Sequence, residues 1–449
     1  MMETDPRKLE VQINSPALDE RIEAAKALGA LIRGGKLSRK VLSEVNNHVH
    51  TTLSFSPYQP AAAAYQAWKA GLGIVGSIDH DSIGAAREML DASAALGIAS
   101  TVGFEVRASF LDTPLGDRKI NNPDSKGIVY MCVHGVPRQH IDDAAAFLEP
   151  ISRVRGQRNR KMVDAFNDLG LDFKLDYDAD VVPLSRRKDG GSVTERHILY
   201  AFSLKMIDAL GKGEVLVSYL SGKLGLALSQ KVRERLLDPE NPHYAYDLLG
   251  VLKSGYLPLF YIQPGRDECP DAREVVRFGL SIGAIPAYAY LGDVSQSPTG
   301  DKKAEKFEDG FLDELLDLLV DIGYPAVTYM PPRNTPEQMK RLQEGCKRRG
   351  LMEISGVDIN SSRQSFNCPE MLMPICAHLV DSAWALVAHE KLSASGLEYG
   401  LFAPSNPLFS KGETLDEKIA QYSGYGRSLD QFDPFGSAAS LVNSLILVR

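Results

Sequence analysis

Along most of the chain, short runs rich in β-branched and aromatic residues alternate with longer stretches whose apolar positions recur at helical spacing. The short runs are NHVHTTL (47–53), GIVGSIDH (73–80), IASTVGFEV (98–106), GIVYMCVHG (127–135), AIPAYAYLG (284–292), YPAVTYMPP (324–332) and MEISGVDIN (352–360). They predict seven strands. The intervening stretches YQAWKAGLG (65–73), IGAAREMLDASAALG (83–97), FLDELLDLLVDIG (311–323) and TPEQMKRLQEGCKRRG (335–350) predict amphipathic helices. Such alternation predicts parallel strands joined by helical crossovers, hence an α/β fold closed into a barrel.

The alternation lapses in three places. Residues 1–45 form an N-terminal helical segment, with Leu18, Ile22, Ala25, Leu28 and Leu31 at helical spacing. Between the fourth and fifth runs, about 141–280 is mostly helical, broken by SRRKDGG and DPENPHY, and too long for one crossover. It is expected to be a helical lid inserted in a barrel of 46–390. Residues 391–449 are expected to pack on that barrel. Polar, turn-rich loops are marked by LDTPLGDRKINNPDSKG (111–127) and SQSPTGDKKAEK (295–306). The glycines of GLGIVG (71–76) match a dinucleotide fingerprint in spacing only, because they end a helix and enter a strand instead of the reverse.

Composition narrows the function classes. The chain has 449 residues and a formal charge of −8, which disfavours coating nucleic acid or an anionic membrane by bulk attraction. MMETDPRKLE lacks the apolar run of a secretion signal, and charges interrupt LLDLLVDIG short of a membrane span, so a cytoplasmic location is expected. The five cysteines lack C-x-x-C spacing and read as reduced thiols, Cys132 as a small buried core side chain.

The chemistry lies where His, Asp and Glu fall. His48 and His50 form H-x-H on the first predicted strand, and a period of two points both imidazoles to one side. His80, Glu105, His134 and Asp358 end the second, third, fourth and seventh strands. In a parallel barrel those ends converge on one mouth. A nitrogen and oxygen shell without thiolates suits one or two divalent transition-metal ions, Zn, Mn or Fe. Asp79, beside His80, is expected to orient that ring from outside the ligand set.

In the order HVHTTLS, SIDHDS, GFEV, VHG, TERH and GVDIN, the motifs over about 46–380 resemble those of the PHP (polymerase and histidinol phosphatase) superfamily. The resemblance implies a distorted seven-stranded (β/α) barrel with a helical insertion, which hydrolyses phosphate esters at metal ions. It implies His48, His50, Glu105 and Asp358 on a first ion, Glu105 with His134 on a second, and His80 on a third. The chain departs from the pattern at Phe55 and Ser56, at Tyr290 and at Asn360, where the family carries ligands; Tyr290 and Asn360 retain oxygen donors.

The expected activity is therefore hydrolysis of a small phosphorylated metabolite or nucleotide by metal-activated water, with His134 or His197 protonating the leaving oxygen. Arg196, His197, Arg107 and Tyr290 are the expected substrate contacts, Thr194 capping the helix that presents the first two. SRVRGQRNRK (152–161) reads either as a solvated helix face or as a track for a short oligonucleotide. Two further readings stand beside this one: a weakened barrel that binds or regulates without turnover, and metal-dependent hydrolysis of C–N or C–O bonds.

Overall fold

A computed structural model describes residues 5–294 and 306–448. The loop predicted at 295–306 thus lies almost wholly outside the described residues.

Helices α1 (Pro6–Gln12) and α2 (Leu18–Arg33) precede β1 (Val45–Val49), α3 (Pro60–Lys69), β2 (Ile74–His80), α4 (Ala86–Leu96), β3 (Ala99–Ser109) and β4 (Ile128–His134). The inserted stretch holds α5 (Ile141–Asn167), α6 (Glu195–Leu210), α7 (Glu214–Ser218), α8 (Gln230–Leu237), α9 (Tyr244–Gly255), α10 (Leu257–Phe260) and α11 (Ala272–Ser281). Then come β5 (Ile285–Tyr290), α12 (Leu312–Ile322), β6 (Ala326–Tyr329), α13 (Pro336–Arg349) and β7 (Met352–Ser355). The chain ends in α14 (Ala377–Ser393), α15 (Leu415–Ser428) and α16 (Pro434–Val448).

The seven strands form one mixed sheet in the order β1 to β7. Its ends meet beyond β7. The His50 amide donates to the Ile359 carbonyl at 3.0 Å and the Ile359 amide to the His48 carbonyl at 3.2 Å. The Asn46 and Asn47 side-chain amides bond to the carbonyls of Val357 and Ser355, each at 3.0 Å. The asparagines thereby satisfy backbone that lacks a regular ladder partner at the seam.

One expectation fails here. β4 runs antiparallel to both β3 and β5, while the other pairings are parallel. A parallel return needs a crossover, usually a helix, and the turn-rich segment 110–127 supplies none; it closes as a long hairpin arm on the bond from the Phe110 amide to the Gly127 carbonyl. The C-terminal end of β4 therefore points to the opposite mouth from the ends of β1, β2 and β3, and His134 goes with it.

Packing divides into two apolar clusters. One fills the barrel and its surrounding helices, α14 included. The other runs from Met162 to Phe260 in the inserted stretch and takes only Phe55 from the barrel. At the N-terminus, buried Arg21 clamps α2 to α4 through Glu88 at 2.6 Å. Among the described residues no helix is long and apolar enough to cross a membrane.

Candidate metal centre

At the mouth where β1 and β2 end and β3 runs on past them, five side chains gather in overlapping groups. Nε2 of His48 is 3.3 Å from Nε2 of His50 and 3.1 Å from Oε2 of Glu105. Nε2 of His50 is 3.1 Å from Oδ1 of Asp358 and 3.8 Å from Oε2 of Glu105. Nδ1 of His80 is 3.5 Å from the same glutamate oxygen, and its ring stacks on His50 with centroids 4.5 Å apart. Tetrahedral or octahedral donors bound at about 2.0–2.2 Å stand roughly 3.0–3.5 Å from one another. All of these but the 3.8 Å edge fall in that range, and His48, His50 and Asp358, like His50, His80 and Glu105, form three-residue groups that could hold a divalent ion.

The electrostatics suit cation binding. Burial pushes the Glu105 carboxyl up, but the imidazoles of His80, His48 and His50 outweigh it and hold it at about 2. Burial likewise raises the Asp358 carboxyl, and His50 brings it well below the usual carboxylate range. His80 is pushed down to about 3 by burial and so presents a neutral ring. Two carboxylates and one lone-pair nitrogen are the forms a metal requires. At His48 burial lowers the ring, but Cys132 and Glu105 outweigh it and raise the ring well above its ordinary value, so that ring must give up a proton as an ion enters.

Partners behind the ligands hold them in place. Asp79 does not reach the ring of His80 as expected; it accepts from the Thr51 amide at 2.7 Å, from Thr51 Oγ1 at 2.6 Å and from Ser54 Oγ at 2.6 Å. Ser54 Oγ in turn lies 3.3 Å from Nδ1 of His50. Asp79 thus orients His50 through a serine, by way of the turn that follows β1. On the other side, Sγ of Cys132 lies 3.9 Å from Nδ1 of His48. Cys132 pairs in register with Glu105 and forms, with His48 and Glu105, one of the three-residue groups that could hold an ion.

Of four further predicted site residues, His134 and His197 stand outside the cavity, while Tyr290 and Asn360 line it but are bonded to other groups. His134 lies a pleat below Cys132 in the barrel, pushed down to about 3 by burial, outside the ligand clusters. His197 does not line the cavity: its Nδ1 accepts from the Thr194 amide at 2.9 Å, and the pair makes a capping box at the start of α6. Tyr290 donates its hydroxyl to Asp309, and burial with that carboxylate keeps the phenol protonated, so it is no phenolate ligand. Asn360 gives its side-chain amide to Oδ1 of Asp358 at 2.7 Å and so acts on a ligand instead of on the ion. Phe55 packs edge-on against His197 and Tyr200, joining the lid core.

The cluster opens into a cavity of about 230 Å³ between barrel and lid. One wall is a buried charge network that the sequence did not announce. Arg155 reaches Asp81 at 2.5 Å and Glu195 at 2.6 Å, while Arg158 reaches Glu268 at 2.6 Å and also Glu195. Arg107, expected as a substrate contact, lines the cavity but pairs with Glu268 and, at 3.6 Å, with Glu195. Arg155 and Arg158 are thus not a solvated helix face; that description holds for Arg153 and Arg160. Arg196 also lines the cavity, its guanidinium 4.7 Å over the Phe55 ring and bonded to the Asn360 carbonyl at 3.3 Å.

No protein-family model matches the chain. No curated protein matches it either. Among solved structures, one from Bifidobacterium adolescentis, provisionally named a metal-dependent phosphoesterase, is 19% identical with a TM-score of 0.47, over 71% of this chain and 88% of that one. Another, an amidohydrolase from Chromobacterium violaceum with bound sulfate and no metal, is 16% identical with a TM-score of 0.48, over 76% of this chain and 96% of that one.

Proposed function

We propose that the protein is a metal-dependent phosphoesterase acting on a small phosphorylated metabolite. The observation that carries the reading is the convergence of His48, His50, His80, Glu105 and Asp358 in overlapping groups that could hold a metal ion, beside a cavity. When bound there, a divalent ion acidifies a water molecule and neutralises charge on a phosphoryl oxygen.

The chain's own residues supply the rest. Arg196, Lys253 and Arg333 line the cavity, as do Arg107 and Arg155, which pair with Glu195, Glu268 and Asp81. Among the described residues no imidazole outside the ligand set lines the cavity, whereas Lys253, Tyr130 and Tyr261 do, so in this reading the leaving oxygen takes its proton from one of these or from solvent. A volume of about 230 Å³ lies below the roughly 300–1,000 Å³ of pockets for drug-sized ligands, which supports a small metabolite and not an oligonucleotide.

A second reading has its own support. Phe55, Tyr290 and Asn360, at positions where the resemblance implies ligands, are committed to the lid core, Asp309 and Asp358. A barrel altered in this way would bind a phosphorylated ligand without turning it over. The test is elemental analysis of the purified chain with hydrolysis of an aryl phosphate and of small phosphorylated metabolites. Turnover that disappears in His48→Ala and Asp358→Ala supports the esterase. Binding of inorganic phosphate without turnover supports the binding protein, and bound metal with C–N or C–O hydrolysis instead contradicts both.

A further inference from the structure

The two imidazoles of the H-x-H pair turn Nε2 toward the cluster, which leaves each Nδ1 in need of a partner. His50 has the serine backed by Asp79. His48 has Cys132, a fully buried thiol whose sulfur is 3.9 Å from Nδ1. A neutral imidazole carries one proton. For Nε2 of His48 to offer its lone pair to an ion, the proton must sit on Nδ1, and a buried Nδ1–H requires an acceptor.

We propose that Cys132 is a positioning residue for His48: its sulfur accepts the Nδ1–H and thereby fixes the tautomer and ring rotation that aim Nε2 at the ion. The inference rests on the metal-site reading above and adds a residue that the resemblance does not assign. Three observations carry it. The sulfur lies 3.9 Å from the ring nitrogen turned away from Glu105 and His50; because Cys132 also forms a candidate ligand group with His48 and Glu105, the cobalt spectrum below separates an acceptor from a direct ligand. Cys132 sits in the middle of β4 opposite Glu105, so two hydrogen-bonded strands, and no mobile loop, set its place. Both Cys132 and His48 are buried, leaving little room for water as a substitute acceptor.

The test uses the full chain as wild type, Cys132→Ala, Cys132→Val and Cys132→Ser, with Zn²⁺ affinity measured against a competing chelator. The alanine and valine forms remove the acceptor; valine keeps the strand and most of the volume should alanine fail to fold. Each is expected to bind about 10–100-fold more weakly, with serine restoring most of the loss. Absorption of the Co²⁺-loaded wild type is expected to lack a sulfur-to-cobalt charge-transfer band. Affinity in the alanine or valine form equal to wild type overturns the proposal, and so does a charge-transfer band lost in those forms, which would make the sulfur a direct ligand. A wild type that binds neither ion brings down the metal-site reading itself, an outcome distinct from either.

Discussion

Oδ1 of Asp358 lies 3.1 Å from Nε2 of His50 across the seam where the sheet closes on itself. The bonds between Ile359 and the backbone of His48 and His50 are the same bonds that bring the two side chains together. Closing the barrel and assembling the donor set are therefore one event. An ion that binds only the closed form stabilises it by mass action, about 2.7 kcal/mol at a free concentration of 100 Kd. Thermal melting with and without Zn²⁺ should show a clear rise for the wild type and almost none for Asp358→Ala.

Asp79 binds three groups of the turn after β1, one of which touches His50. Asp79→Ala should weaken ion binding about 10–100-fold and destabilise the ion-free protein by about 1–3 kcal/mol, since buried donors lose their acceptor. Ser54→Ala should affect affinity more than stability. Chelator competition and urea unfolding, run on both variants, separate the two effects.

Glu195 stands among Arg155, Arg107 and Arg158. Burial raises its carboxyl, but the three guanidinium groups outweigh that and hold it well below its ordinary 4.5. The stability it contributes is present above about pH 4.5 and is lost as pH falls below that toward its folded value. Asp81, which burial pushes up, opposes part of this trend. Glu195→Gln should cost about 3–5 kcal/mol near neutral pH, since it strands buried cations, and should flatten the acid limb of the unfolding curve. An acid limb of unchanged slope would show that the network does not control it.

Glu308 behaves in the opposite sense. Burial pushes its carboxyl up to about 7, although it accepts from the Leu291 amide at 2.7 Å and from the Tyr288 hydroxyl at 3.2 Å. Its stabilising contribution is complete below about pH 4.5 and disappears as pH rises through about 7. Glu308→Gln should match the wild type at pH 5 and exceed it at pH 8, by on the order of 3 kcal/mol at most. Urea midpoints at the two pH values check this.

Much of the fold was legible because it rests on local pattern. All seven runs form strands, since each combines β-branched or aromatic residues with flanking turn signals. The direction of β4 was not legible, because an unhelical link is compatible with a hairpin or a poor crossover, and that choice moved His134 away from the cluster. H-x-H could be read from the end of β1 and Asp358 from the segment just after β7, whereas Glu105, expected to end its strand, is the seventh of the eleven residues of β3 and meets the cluster because β3 runs on past the end of β2. Cys132 could not: inside an apolar run a thiol looks like core, and only the pairing register sets it opposite Glu105. Arg155 and Arg158 resembled a solvated basic face because their partners Glu195 and Glu268 lie far along the chain. Their spacing of three on α5 was the one available hint that they share a face.

The central claim is that His48, His50, Glu105 and Asp358 grip a common divalent ion, and calorimetric titration of metal-stripped protein with Zn²⁺ and Mn²⁺ tests it most directly. The account predicts saturable binding of one or two ions per chain, lost in His50→Ala and Asp358→Ala although both remain folded. A wild type that takes up no ion, or variants that bind as tightly as wild type, would contradict it.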